Sequence, residues 1–187
     1  MSIKKGAAAV AVGFFVCIAP MGLRSTAVAQ HEAGKAKGAH ITKAVAILLP
    51  TKGSKAEGRV TFLQAEGGIQ VKGEISGLTP GEHGFHVHEF GVWSPDGKAA
   101  GGHYNPEGHP HAKRQAGKRH VGDLGNIKAN ENGNASIDFV DEHLTFRGPH
   151  SIIGRGLVVH EKADDYSQPV GNAGGRVAVG VIGVAQP

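Results

Sequence analysis

Twelve histidines and a single cysteine in 187 residues define the chemistry open to this chain, because imidazole is the commonest metal-binding side chain. His86 and His88 stand two apart in Gly84-Phe85-His86-Val87-His88-Glu89-Phe90. In an extended strand, residues two apart point to the same face. The two rings therefore project together while Phe85 and Val87 turn to the core. Such a pair serves either as metal ligands or as two solvent-facing histidines. Downstream, His103, His111, His120 and Asp123 follow the spacing H-x7-H-x8-H-x2-D. Three imidazole nitrogens and one carboxylate oxygen match a closed tetrahedral Zn2+ site. One ion tied to separated loop points would also order a segment with little core of its own. His109 falls out of this phase beside Pro110 and reads as solvent-exposed. His160, which closes an apolar run, reads on its own as a satisfied structural residue. His143 and His150 read as surface residues.

The elements that must carry these ligands are extended. Apolar and β-branched residues alternate over 43–49, 58–65, 69–75, 84–90, 124–129, 135–140, 156–160 and 177–184. Turn signals separate them, among them Glu66-Gly67-Gly68 and Asn132-Gly133. Glycine is abundant (30 residues), aromatics amount to only 5%, and no amphipathic helix is evident. The pattern predicts eight short strands in an antiparallel sandwich or flattened barrel. The stretch 91–122 far exceeds the ~12–15 residues of an idle connection, so it reads as functional.

The first residues read as an address. Lys4 and Lys5 precede an apolar run over 6–20, and Ala27-Val28-Ala29 makes a cleavage signal, so 1–29 is expected to be a secretory signal peptide. The apolar run falls short of the ~18–20 residues that span a bilayer. Residues 30–38 read as a flexible leader and 39–187 as one domain; His31 and His40 read as solvated tail histidines. Export implies a periplasmic or extracellular protein with no membrane attachment after cleavage. Of 20 basic side chains, Lys4, Lys5 and Arg24 leave with the signal, so 17 face 16 acids. No basic stripe calls for nucleic acid. Cys17 leaves too, so no disulfide can form and a metal is the candidate staple.

The segments GFHVHEFG (84–91), AGGHYNP (100–106), RHVGDLGN (119–126), IIGRGLVVHEKADD (152–165) and GNAGGRVAVGVIG (171–183) resemble the signature segments of the copper/zinc superoxide dismutase family. The resemblance runs in the same order from about Lys43 onward. It implies an all-β fold: an eight-stranded antiparallel Greek-key sandwich or flattened barrel with long metal-binding loops. It implies that His86, His88, His103 and His160 hold copper and that His103, His111, His120 and Asp123 hold zinc, His103 bridging the two. It further implies that Asp164 is the outer carboxylate linking a copper histidine to a zinc histidine, that Arg176 attracts superoxide, and that His83 braces the ligand strand. The expected activity is dismutation of superoxide to dioxygen and hydrogen peroxide, with His103 passing a proton. Gly91, Ile152, Ile153 and Gly154 resemble the family's dimer surface, which implies a homodimer.

The chain also departs from the family. Gly97 and Val179 stand where the family has a disulfide, and Val179 is expected to bury in the core instead. Val92-Trp93 replaces a more polar stretch. The alternative to an enzyme is an exported copper/zinc storage or metallochaperone module on the same fold, which requires neither a shared histidine nor Arg176.

Overall fold

A computed structural model of the chain describes residues 40–187. The readings for 1–29 and 30–38, His31 included, lie outside the described residues. Eight strands follow: β1 (Lys43–Pro50), β2 (Glu57–Ala65), β3 (Gly68–Ser76), β4 (Gly81–His88), β5 (Asp123–Ala129), β6 (Ala135–Asp141), β7 (Gly156–His160) and β8 (Arg176–Val184). In β1 the alternation is plain: Ala44, Ala46 and Leu48 are buried while Ile47 and Leu49 are exposed. The same pleat sends Val60 and Phe62 of β2 and Val71 and Ile75 of β3 into one core with Phe85, Val87, Leu157 and Ile182.

The strands form one antiparallel sheet in the order β5-β4-β7-β8-β1-β2-β3-β6. Its two end strands are joined by the turn at 130–134, where the Gly133 and Asn130 amides bond to the carbonyls of Asn130 and Asn134. The sheet thus curls into a nearly closed barrel. The β3–β4 and β6–β7 connections cross between distant strands of that order.

β4 and β7 lie side by side and carry four of the histidines, His83, His86, His88 and His160. The alternation predicted β4 over 84–90, yet it runs from Gly81 to His88. Its start is extended by pairing of Gly81 and Glu82 with Ala129 and Lys128. Its end is cut because the Glu89 and Phe90 amides bond to Gly102 and Ala100 in the loop, each at 3.0 Å. That loop contains one short 3-10 turn, Lys98–Ala100.

Val179 is fully buried with Ala100 and Val158 in a small apolar cluster apart from the main core, as its place in the sequence suggested. A Cβ built on Gly97 would stand 3.1 Å from Val179 Cγ2. The loop and β8 therefore meet by packing where the family has a covalent link. Ile152 is also fully buried. Its expected place on a dimer surface is corrected: it belongs to the core, and only its neighbours Ile153 and Gly154 are accessible.

Candidate metal centre

The extended backbone of β4 puts His86 and His88 on one face, and the β4–β7 pairing brings His160 beside them. His103 joins through an isolated bridge with His88. His88 Nε2 lies 3.2 Å from His160 Nε2, and the His86 and His103 ring centres are 4.1 Å apart. Asp123, at the first position of β5, collects the second group. Its Oδ1 lies 2.9 Å from His103 Nδ1, 2.9 Å from His111 Nδ1 and 3.1 Å from His120 Nδ1. All seven side chains are buried. In each group of four, one donor atom per residue falls within 4.8 Å of all the others, and His103 belongs to both groups. His160, read alone as structural, is thus a member of the first.

Two atoms test whether metals fit. His86 Nδ1 and His111 Nδ1 are buried without a hydrogen-bond partner. An orphaned buried nitrogen is costly unless something else accepts its lone pair. The short His111–Asp123 approach is out of line for an N–H donor, as for two lone pairs aimed at a common cation. Four imidazoles suit copper, and three imidazoles with a carboxylate suit zinc.

A second ring of contacts orients these ligands. His86 Nε2 and His111 Nε2 each lie 2.9 Å from an oxygen of Asp164, so Asp164 ties one group to the other. Asn126 clasps the Asp164 backbone from both sides, accepting from its amide (2.7 Å) and donating to its carbonyl (2.9 Å). The Tyr166 amide donates to Asp164 Oδ1 at 2.8 Å, and its ring stacks on His111 with planes 22° apart. Gln168 holds the His111 amide and carbonyl. At Gly171 a Cβ would overlap the Asp164 carboxylate. His83 braces the first group as expected, Nδ1 to the His160 carbonyl and Nε2 to the Thr79 carbonyl, both 2.8 Å. Asn126, Tyr166 and Gln168 escaped the sequence reading. Asn126 lies three positions after Asp123, whereas Tyr166 and Gln168 have no ligand beside them in the sequence.

The loop is bonded directly to β4. The Val87 amide donates to Gly122, the Gly122 amide to Tyr104, and the Tyr104 amide to Val87, each at 2.9 Å. A Cβ at Gly122 would collide with the Val87 carbonyl, so only glycine admits this approach. Arg119, fully buried, donates from Nη2 to both Asp141 oxygens (2.8 and 2.6 Å) and from Nη1 to the carbonyls of His120 and Val121. It thereby fastens the backbone around His120 to β6.

Without metal, the electrostatics are those of crowded buried bases. Burial lowers the pKa of His86 and, more strongly, of His88. Burial, with His86 and His103 nearby, pushes His160 to about 3, and burial brings His103 to about 4. His111 goes the other way. Burial opposes its proton, but Asp123 and Asp164 outweigh it and raise the ring to about 9. Burial would raise Asp123, yet hydrogen bonds with His103 and His120 and the close His111 ring hold it far below the usual carboxylate range. Asp164 is likewise held low against its burial by His111 and His86. Arg176 donates from Nη1 to Gly97 (2.6 Å) and from Nη2 to Gly101. Its charge is among the effects lowering His88 and His160.

Residues 56–182 match the family described as copper/zinc superoxide dismutase (SODC). The chain is 44% identical to the extracellular superoxide dismutase [Cu-Zn] of Brugia pahangi over 152 residues, 76% of each chain. It is 43% identical to the superoxide dismutase [Cu-Zn] of Onchocerca volvulus over 155 residues, 76% of this chain and 96% of the relative. The crystal structure of the clock protein EA4 superposes with a TM-score of 0.72 at 46% identity, covering 79% of this chain and 98% of that one. The four-histidine group is therefore a copper site and the His/Asp group a zinc site, bridged by His103, and the chain belongs to the copper/zinc superoxide dismutase family.

Proposed function

We propose that superoxide dismutation, the activity of this family, is divided among Arg176, His103 and Asp164 as follows. Two superoxide ions and two protons give one dioxygen and one hydrogen peroxide; copper, held by His86, His88, His103 and His160, supplies the one-electron redox chemistry, and zinc none. Arg176 receives the anion. Two of its nitrogens are fixed by Gly97 and Gly101, which leaves a preorganised positive charge beside His88 and His160 for a small anion. His103 supplies a proton. Its Nδ1 is turned to Asp123, so its Nε2 faces the four-histidine group and is the atom that can hand a proton to departing peroxide. Asp164 orients His86 and His111 by accepting from both Nε2 atoms, which leaves each Nδ1 for the metals.

The observation that carries this reading is one imidazole common to two ligand groups, with a guanidinium beside the first. Storage of metal needs neither. The test is the rate of superoxide decay with metal-loaded protein and with Arg176→Ala at equal metal content. A loss on the order of tenfold or more is expected; an unchanged rate would remove Arg176 from the mechanism.

Export to the periplasm or the extracellular space, and assembly as a homodimer, extend the proposal. The basic-apolar-AVA order of 1–29 supports export, and a Brugia relative is named extracellular. A cluster of accessible apolar side chains supports a second copy: Phe90, Val92, Trp93 and Val181 are exposed, and Gly91 packs against Gly154 and Val181 between them. Among the described residues, no helix is long and apolar enough to cross a membrane.

A further inference from the structure

Arg176 occupies the first position of β8, where little packs around it. Gly174 and Gly175 precede it, and the β7–β8 register shifts between Val159 and His160, the residue it pairs with. Arg176 and Val177 are both only half-buried. A groove of about 500 Å3, lined in part by Thr51, Lys52, Glu161 and Arg176, runs along the strand here. Backbone that follows two glycines and borders open space has little packing to fix it, so its hydrogen bonds decide where it lies.

Two of those bonds come from the connection between β1 and β2. Thr51 is buried. Its Oγ1 donates to the Arg176 carbonyl at 2.6 Å and its amide donates to the Val177 carbonyl at 3.1 Å. They carry the β1–β8 contact past Pro50, which pairs with Ala178 and has no N–H of its own. The next residue reaches the loop after β4: the Lys52 amide donates to the Pro95 carbonyl at 2.6 Å. Pro95 belongs to a tight turn. Asp96 Oδ1 accepts from the Ser94 hydroxyl and from the Lys98 amide, each at 3.0 Å, and the Gly97 amide donates to the Ser94 carbonyl at 2.9 Å. Gly97 in turn supplies one of the two carbonyls that hold the Arg176 guanidinium. Two adjacent residues thus grip both the strand that carries Arg176 and the turn that carries its acceptor.

We propose that Thr51 is a positioning residue for Arg176, whose hydroxyl sets the separation at which the guanidinium meets the Gly97 and Gly101 carbonyls and stands beside His88 and His160. The proposal rests on the role given to Arg176 above. A fixed charge stabilises an anion to the extent that it is preorganised, and backbone displaced at residue 176 carries the guanidinium away from the copper site.

The experiment is titration of azide, a small anion that binds Cu2+, into full-length protein loaded with copper and zinc to equal content, read by the Cu2+ electron paramagnetic resonance spectrum. Parent, Thr51→Val, Thr51→Ser and Arg176→Ala are compared, with the superoxide decay rate of each. Valine keeps the shape of threonine and removes the hydroxyl. It should weaken azide binding about threefold to tenfold, the effect of one lost hydrogen bond, and serine should restore the affinity to within about twofold of the parent. Thr51→Ala, whose void opens onto the groove, is expected to match the valine variant and serves if that variant does not fold. Parental azide affinity in both hydroxyl-free variants, with only unfolding stability lowered, would overturn the proposal. So would a serine variant as weak as valine, because the loss would then come from packing. A loss in Arg176→Ala without one in the Thr51 variants refutes this proposal alone; no loss in Arg176→Ala refutes the reading of Arg176, and this proposal with it.

Discussion

Asp164 holds the two ligand groups in mutual register with one carboxylate, and its own position is fixed by Asn126, Tyr166 and the close approach of Gly171. Asp164→Asn keeps the shape but cannot accept at both oxygens, so one of His86 and His111 loses its anchor. Zinc affinity should fall by about 10–100-fold, the usual cost of losing an outer partner of a metal ligand, as read by competition with a chelator of known strength. Equal zinc retention would mean that the ligands are oriented by the backbone alone. The sequence made Asp164 legible because it lies in an ordered motif with His160. Tyr166 and Gln168 were not legible: each acts on His111, more than fifty positions away in sequence, across a loop that has no period to read.

The strands were legible from the two-residue alternation, since one face of each is buried and a slip would expose the whole apolar set. The limits of β4 were not, because they are decided by partners: Lys128 and Ala129 at one end, Ala100 and Gly102 at the other. Ile152 misled for a similar reason. Its neighbours are accessible, and nothing local tells which of two adjacent isoleucines turns inward. The contact between β8 and the loop after β4 rests on Val179, Val158 and Ala100 and on the two Arg176 hydrogen bonds. Val179→Ala removes two methyl groups from that small cluster and should cost about 2 kcal/mol, measured by urea unfolding. It should also loosen Arg176 and lower the dismutation rate at unchanged metal content. Full activity with lowered stability would show that Gly97 and Gly101 are held without the cluster.

For the protein as one cooperative unit, the buried histidines predict an acid-sensitive metal-free state. His86, His88, His103 and His160 have native pKa values below the unfolded value of about 6.5. Their unprotonated state is no obstacle above that pH. As pH falls through 6.5 toward 4 the unfolded chain takes up the protons first, and stability is lost. His111 has the opposite sign: its contribution is complete below about 6.5 and disappears as pH rises through about 9. Four groups outweigh one on the acid side. The unfolding temperature of chelated protein should drop by about 5 °C or more between pH 7 and pH 5, by calorimetry; a flat profile would contradict the burial. At pH 7, removal of both metals should itself lower Tm strongly, since bound ions stabilise only the folded chain. The second-copy contact makes a separate prediction. Val181→Lys on the outer face of β8 should convert a dimer to a monomer in light scattering, and a parent protein already monomeric would refute that interface.

The amide triangle of Val87, Tyr104 and Gly122 has a kinetic corollary. Each segment both donates and accepts, so displacing any one of them breaks two of the three bonds at once and the ring opens as a unit. In deuterium exchange these three protons should disappear from the spectrum at one common rate, and the ions should dissociate no faster than that shared event.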